Sequence, residues 1–412
     1  MKTIKNSKRI FLDYASITPV DSEVEKEMVR VQKKFWANPS SLHKEGEEAK
    51  NILEDARVRI ARILHCRASE IFFTSGGTES LNIAILGISQ GVTFDSEVPK
   101  VTPWETPHII TSTIEHPAVL EPIKFLLKEK RAEVSFVSPN EEGIINPESI
   151  KKELKKNTVL VAIQHSNNEI GTIQPIRKIS NIIEQSPTPN PLPKVEGARH
   201  KPHLLVDASQ SVCYEDVSIE RLGADMLVLD GIKMYGPRGA GILVVKHGIT
   251  MAPIVFGGGQ EGGLRSGTEN VAAAAGLAKA LEIAVQKREK ESKRLTTLRY
   301  YAIKKILTTF PNTSLNGSLE NRLPNNINIC FSVLDSEFTV IKLDTLGFAV
   351  SAASACHTLS LENSSYVINA LDPSNSSGQV SNCGSSSLRF TLGRDTKKQD
   401  IDKLIKTLKM IV

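Results

Sequence analysis

The feature that most constrains this chain is a set of uninterrupted apolar runs, each closing on polar residues. They are Glu70-Ile-Phe-Phe-Thr-Ser75, His108-Ile-Ile-Thr-Ser-Thr113, Thr158-Val-Leu-Val-Ala-Ile163 and His203-Leu-Leu-Val-Asp207. Between them apolar residues recur at helical spacing. A strand that is apolar on both faces must be covered on both, and alternation with helices achieves this in a mainly parallel sheet between helix layers. Such sheets bind ligands at the carboxyl ends of their strands. Those ends carry Glu115 with His116, Asn167-Asn168-Glu169, Asp207 with Gln210, and Lys233.

Lys233 is the least ordinary of these. Asp225-Met-Leu-Val-Leu-Asp230 and Gly241-Ile-Leu-Val-Val245 read as strands, and the lysine lies in the Gly/Pro-rich corner between them. An ammonium buried there loses hydration, which lowers its pKa and makes the neutral amine available as a Schiff-base nucleophile. A loop lysine turned to water is the plainer reading of the same residues. Phe73-Thr-Ser-Gly-Gly-Thr78 leads from a strand through two glycines into a helix start, the arrangement that aims backbone amides at a phosphate. It matches neither the Walker nor the dinucleotide pattern.

The 412 residues suffice for two domains, expected as 18–263 (a large α/β domain) and 1–17 with 264–412 (a smaller α+β domain). Residues 269–310 read as one long helix. A formal charge of +5 from scattered Lys and Arg gives no support to a nucleic-acid or membrane-surface role. No apolar run is long enough to span a membrane, and a cytoplasmic location is expected. The Pro-rich stretches Gly91 to Pro107 and Ser186 to Pro202 read as surface loops. Gly257 to Thr268 is too rich in glycine for a regular element, and serves either as a linker or as a loop that wraps a ligand. Cys66, Cys213, Cys330, Cys356 and Cys383 show no metal-ligand spacing, and neither a disulfide framework nor a zinc site is indicated.

A lysine that forms an imine, a strand-end aspartate, a strand-end histidine and a phosphate-cradling helix start together fit pyridoxal 5'-phosphate. The lysine bonds the aldehyde carbon, the aspartate keeps the pyridine nitrogen protonated, and the histidine stacks on the ring. At this level the sequence resembles the cysteine desulfurases, the NifS/IscS-like branch of the class V aminotransferase family. The resemblance rests on Leu12-Asp-Tyr-Ala15, Phe73-Thr-Ser-Gly-Gly-Thr-Glu-Ser80, Glu115-His-Pro-Ala-Val-Leu120, Asn167-Asn-Glu-Ile-Gly171, Val206-Asp-Ala-Ser-Gln-Ser211, Lys233-Met-Tyr-Gly-Pro237, Arg265-Ser-Gly-Thr268, Ser354-Ala-Cys356 and Ser387-Leu-Arg-Phe390.

The resemblance implies the fold of type I pyridoxal phosphate-dependent transferases, with a seven-stranded sheet. It implies that Lys233 carries the cofactor, Asp207 pairs with its ring nitrogen, His116 stacks on it, and Asn168 and Gln210 touch the ring or its 3-oxygen. Gly77 and Thr78 would hold the phosphate, and Thr268 would reach the phosphate of a second subunit in a homodimer. Arg389, with Asn38 nearby, would clamp the carboxylate of L-cysteine. Cys356, in a polar loop, would attack the substrate sulfur and keep it as a persulfide for a sulfur-acceptor protein, with alanine released. Iron–sulfur cluster assembly or tRNA thiolation is the implied destination. A selenocysteine lyase, or a scaffold protein with weakened cofactor binding, fits the same pattern.

Two departures stand out. The family usually carries Ser-x-His before the lysine, both donating to phosphate, whereas this chain has Asp230 and Ile232. An aspartate beside a phosphate is repulsive unless protonated or turned away, so weaker cofactor retention is expected. Nor does a tail of the kind that docks scaffold proteins follow Val412, so delivery to a standard cluster scaffold is not implied.

Overall fold

The computed structural model describes residues 9–89, 92–95, 98–101, 106–186, 201–332, 334–352, 364–372 and 382–411. In chain order these form β1 (Ile10–Phe11), α1 (Ser22–Lys34), α2 (Lys44–Leu64), β2 (Ile71–Thr74), α3 (Gly77–Ser89), β3 (Val92–Asp95), β4 (Val98–Val101), β5 (His108–Ser112), α4 (Pro117–Lys128) and β6 (Glu133–Val137). Next come α5 (Pro147–Glu153), β7 (Thr158–Gln164), α6 (Ile176–Gln185), β8 (His203–Asp207), α7 (Ile219–Leu222), β9 (Met226–Asp230) and β10 (Gly241–Val245). The remainder is α8 (Val271–Thr309), β11 (Thr313–Leu315), β12 (Asn326–Phe331), α9 (Ser336–Thr345), β13 (Phe348–Ala349), β14 (Ser351–Ala352), α10 (Tyr366–Asn369), α11 (Asn382–Ser385), β15 (Ser387–Thr391) and α12 (Lys398–Leu408).

The main sheet has seven strands in the order β2-β10-β9-β8-β7-β5-β6, and only β10 runs against the others. The expected mainly parallel sheet is therefore present. Its strands alternate between two cores. Ile110, Val161, Ile163, Leu204, Val206, Leu227 and Ile242 pack on one face against α2, α6 and the first half of α8. Ile109, Leu160, Ala162, Leu205, Val228 and Leu243 pack on the other against α3 and α4. Both faces are dry, which is why the strands lack polar alternation. A shorter antiparallel sheet, β11-β12-β15-β14, has its own core with the second half of α8 and with α12. At about 1.5 Å rise per residue the 39-residue α8 runs roughly 58 Å, long enough to serve both cores.

The short stretch 348–352 divides between two sheets: β13 pairs with β1, and β14 with β15. Strand β6 carries partly exposed residues on the sheet edge, so its sequence lacks the apolar continuity of the others. Of the expected loop at 91–107, residues 92–95 and 98–101 form the β3–β4 hairpin instead. Most of the second stretch, 187–200, lies outside the described residues. The cysteine reading needs a correction too. Cys330 of β12 and Cys383 of α11 form a disulfide, with 53 residues of sequence separation that no local pattern reveals.

Candidate active site

The corner after β9 is held from several sides. Gly231 opens a single turn of 3-10 helix ending at Lys233, and a side chain at Gly231 would collide with Pro237 O and Ala240 O at 2.6 and 2.8 Å. Thr18 Oγ1 donates to Ile232 O and accepts from Tyr235 N, both at 2.8 Å. Lys233 is therefore fixed rather than turned to water: its Nζ donates to Ala15 O at 2.8 Å and Ser16 O at 2.6 Å. Gln210 Nε2 donates to the same Ala15 carbonyl at 2.9 Å. The segment after β1 thus reaches the main sheet's strand ends, because β1 is tied to β13 and Asp13 bridges to Thr391.

Around this amine lies a cavity of about 170 Å³. Gly77, Thr78, His116, Asn168, Asp207, Gln210, Lys233 and Arg389 all line it, together with Ser166, Ser209 and Asp230. Asp207 ends β8 and accepts from Ser209 N at 3.0 Å. His116 caps α4, its Nδ1 accepting from Ala118 N at 3.1 Å, so in the neutral ring Nε2 carries the proton. Arg389 of β15 donates to Asn168 O and pairs with Asp13, both at 3.0 Å.

Two buried acids back the cavity. Glu115 accepts from Ser112 Oγ and Gln164 N; burial, reinforced by the Asp207 charge, raises its pKa to about 8. Glu169 accepts from Ser365 Oγ, and burial raises its pKa to about 7 against the opposing pull of that bond and of Arg389. His165, bonded to Ser211 Oγ at 2.8 Å, is lowered to about 4 by burial and stays neutral.

Two expected residues lie apart. Asn38 is exposed, its Oδ1 accepts from Ser40 N at 2.9 Å, and it is not among the residues lining the cavity that holds Arg389. Thr268 lines a separate cavity of about 200 Å³ with Phe73, Ser75 and Arg265. Cys356 lies outside the described residues. Asp230 is neither turned away nor remote: its Oδ2 accepts from Gly77 N at 2.9 Å.

The cavity's own chemistry tests the fit of pyridoxal phosphate. Ser166 Oγ, Asn168 Oδ1 and Arg389 Nε are buried without a hydrogen-bond partner among the described residues. An unmet buried polar atom is costly, and three on one cavity wall fit a polar ligand that completes them. A lysine amine, a carboxylate and a histidine converge on the same space, as a pyridine aldehyde requires. The ring end fits. The phosphate end carries the Asp230 carboxylate, which does not.

Residues 10–404 match the family model described as Aminotransferase class-V. The chain is 38% identical to the cysteine desulfurase IscS of Dictyoglomus turgidum over 98% of its own length and 95% of that protein. It is 37% identical to the cysteine desulfurase IscS 1 of Archaeoglobus fulgidus, covering 98% and 96%.

The chain belongs to the class V aminotransferase family, in its IscS/NifS-like cysteine desulfurase branch.

A solved structure titled NifS-like protein superposes on this desulfurase-family chain with a TM-score of 0.83 at 30% identity, covering 98% of this chain and 99% of that one. Against that family background, Ser166 and Ser209 are cavity residues that the sequence reading missed. Ser166 lies one residue beyond a strand-end histidine, and Ser209 between Asp207 and Gln210. Both could have been found by extending the strand-end rule two residues past each strand.

Proposed function

We propose that this chain is a pyridoxal 5'-phosphate-dependent cysteine desulfurase. The observation that carries the reading is the cavity in which Lys233, Asp207 and His116 meet three buried, unpartnered polar atoms. Bound there, the cofactor supplies an electron-withdrawing ring that absorbs charge as the substrate loses its α-proton. Lys233 Nζ, the cavity's lysine amine, accepts and returns that proton. Asp207 would hold a proton on the ring nitrogen, Asn168 and Gln210 would orient the ring's edge, and Gly77 and Thr78 would face the phosphate, where the Asp230 carboxylate already takes the Gly77 amide. Arg389, with Nε unused, receives the carboxylate of L-cysteine.

The substrate C–S bond breaks, its sulfur is taken by the Cys356 thiolate as a persulfide, and the three-carbon remainder leaves as L-alanine. The sulfur then passes to an acceptor protein for iron–sulfur cluster or tRNA thiolation chemistry. Thr268 serves the phosphate site of a second copy in a homodimer. Among the described residues no helix is long and apolar enough to cross a membrane, in keeping with a cytoplasmic enzyme.

Absorption spectroscopy during pyridoxal phosphate titration, followed by alanine measurement with L-cysteine, tests this. A saturable visible band, absent in Lys233→Ala, and alanine release lost in Cys356→Ala are expected. Absence of any Lys233-dependent band at saturation would sink the reading.

A further inference from the structure

Asp230 closes β9, and its carboxylate lies against the opening turn of α3. Oδ2 accepts from Gly77 N at 2.9 Å, and Oδ1 accepts from Ile232 N at 3.1 Å. A methyl group added to Gly77 would meet Oδ2 at 3.1 Å and Ser209 Oγ at 3.5 Å, so the carboxylate fills the space directly before the helix. Among the described residues no cation forms an ion pair with Asp230. The 13-residue α3 presents the positive end of its dipole here, the ordinary seat of an anion. That a ligand belongs in this cavity rests on a separate observation, the unpartnered Ser166, Asn168 and Arg389 atoms of its wall.

We propose that Asp230 is a built-in occupant of the anion cup, standing where a phosphate oxygen would take the Gly77 amide. An incoming phosphate has to dislodge this carboxylate, and two anions cannot share one amide. The cup therefore contributes little to holding a phosphorylated ligand, and the site discriminates weakly between pyridoxal phosphate and unphosphorylated pyridoxal. The inference rests on the pyridoxal phosphate reading for the ligand's identity, but not for the cup itself.

The experiment uses the full chain and its Asp230→Ser and Asp230→Asn variants; the asparagine keeps an oxygen for the Gly77 and Ile232 amides should serine disturb folding. In the first arm, melting of cofactor-free protein is followed in sodium phosphate and in sodium chloride of equal ionic strength. The variants should gain at least about 2 °C in phosphate beyond any gain of the wild type, since a ligand that binds only the folded state raises its melting point. In the second arm, affinities for pyridoxal phosphate and pyridoxal are measured by fluorescence quenching. The wild type should separate the two compounds by less than about 10-fold. The variants should favour pyridoxal phosphate by roughly 100-fold, with pyridoxal unchanged, as expected for relief of one close anion pair near a protein surface. Equal phosphate gains in all three proteins, or a wild type that already prefers pyridoxal phosphate ~100-fold, overturn the proposal and leave the enzyme reading intact. If neither compound binds any variant the enzyme reading fails, and the phosphate arm still decides whether Asp230 fills the cup.

Discussion

The glycine loop at 257–268 is tied down by one buried ion pair, and replacing Arg57 with Met should show how much depends on it. Arg57 projects from α2 and forks onto Glu261, Nη2 to Oε1 at 2.8 Å and Nη1 to Oε2 at 3.0 Å. Nη1 also donates to Ile71 O at 2.5 Å, and the guanidinium stacks on the Phe73 ring with its centre 4.9 Å from the centroid. Glu261 Oε2 accepts in addition from Phe73 N at 2.8 Å. The pair thus clamps α2, β2 and the loop together, just upstream of the Gly76–Gly77 turn. Burial disfavours the Arg57 charge, but its Glu261 bonds more than offset this and leave its pKa above the ordinary value. The two side chains are 10% and 2% exposed, so solvent screens them little. Methionine keeps the apolar stem and removes the fork, leaving the Glu261 carboxylate with the Phe73 amide alone.

Breaking one partner of such a pair costs about 3–5 kcal/mol. A chain of this length has an unfolding entropy of about 0.9 kcal/mol/K, so the midpoint should fall by roughly 3–6 °C. Urea unfolding and calorimetry, with Glu261→Gln and the double variant completing a cycle, would measure it. The double variant should recover about half of the loss, because no buried charge is then left unpaired. A change below about 1 °C in Arg57→Met, or a double variant as unstable as both single ones summed, would refute the clamp.

Glu115 should set part of the pH dependence of stability. Its folded pKa of about 8 exceeds the ordinary 4.5, so its protonated form favours the fold at acid pH; that contribution is lost as pH rises through about 8. Glu115→Gln should flatten the decline in urea midpoint between pH 5 and 8, and an unchanged slope would show that Glu115 is ionised in the fold. The Cys330–Cys383 bond should appear as two fewer reactive thiols than the five cysteines of the sequence when oxidised protein is titrated in denaturant. Reduction should lower stability by up to about 4 kcal/mol, the chain entropy of a loop near that size. Protein kept reducing, as in a cytoplasm, should titrate all five.

What the sequence determined by itself was the layered α/β architecture and the strand-end register of the site. Apolar continuity follows from burial on both faces of a sheet, and residues at or a few positions past the end of each run, His116, Asn168, Asp207 and Lys233, gather at one edge. These are consequences of local pattern and chain direction, and both can be read in one dimension. Other features depended on contacts between segments distant along the chain. Ala15 O receives the Lys233 amine across 218 positions, and Cys330 meets Cys383 across 53. Asp230 shows the distinction most clearly. Its identity announced a charge conflict, but whether the carboxylate turned away or occupied the cup depended on where the Gly77 amide, 153 residues earlier, came to point. A backbone amide's direction is set by the packing of its whole helix, and only tertiary structure fixes that.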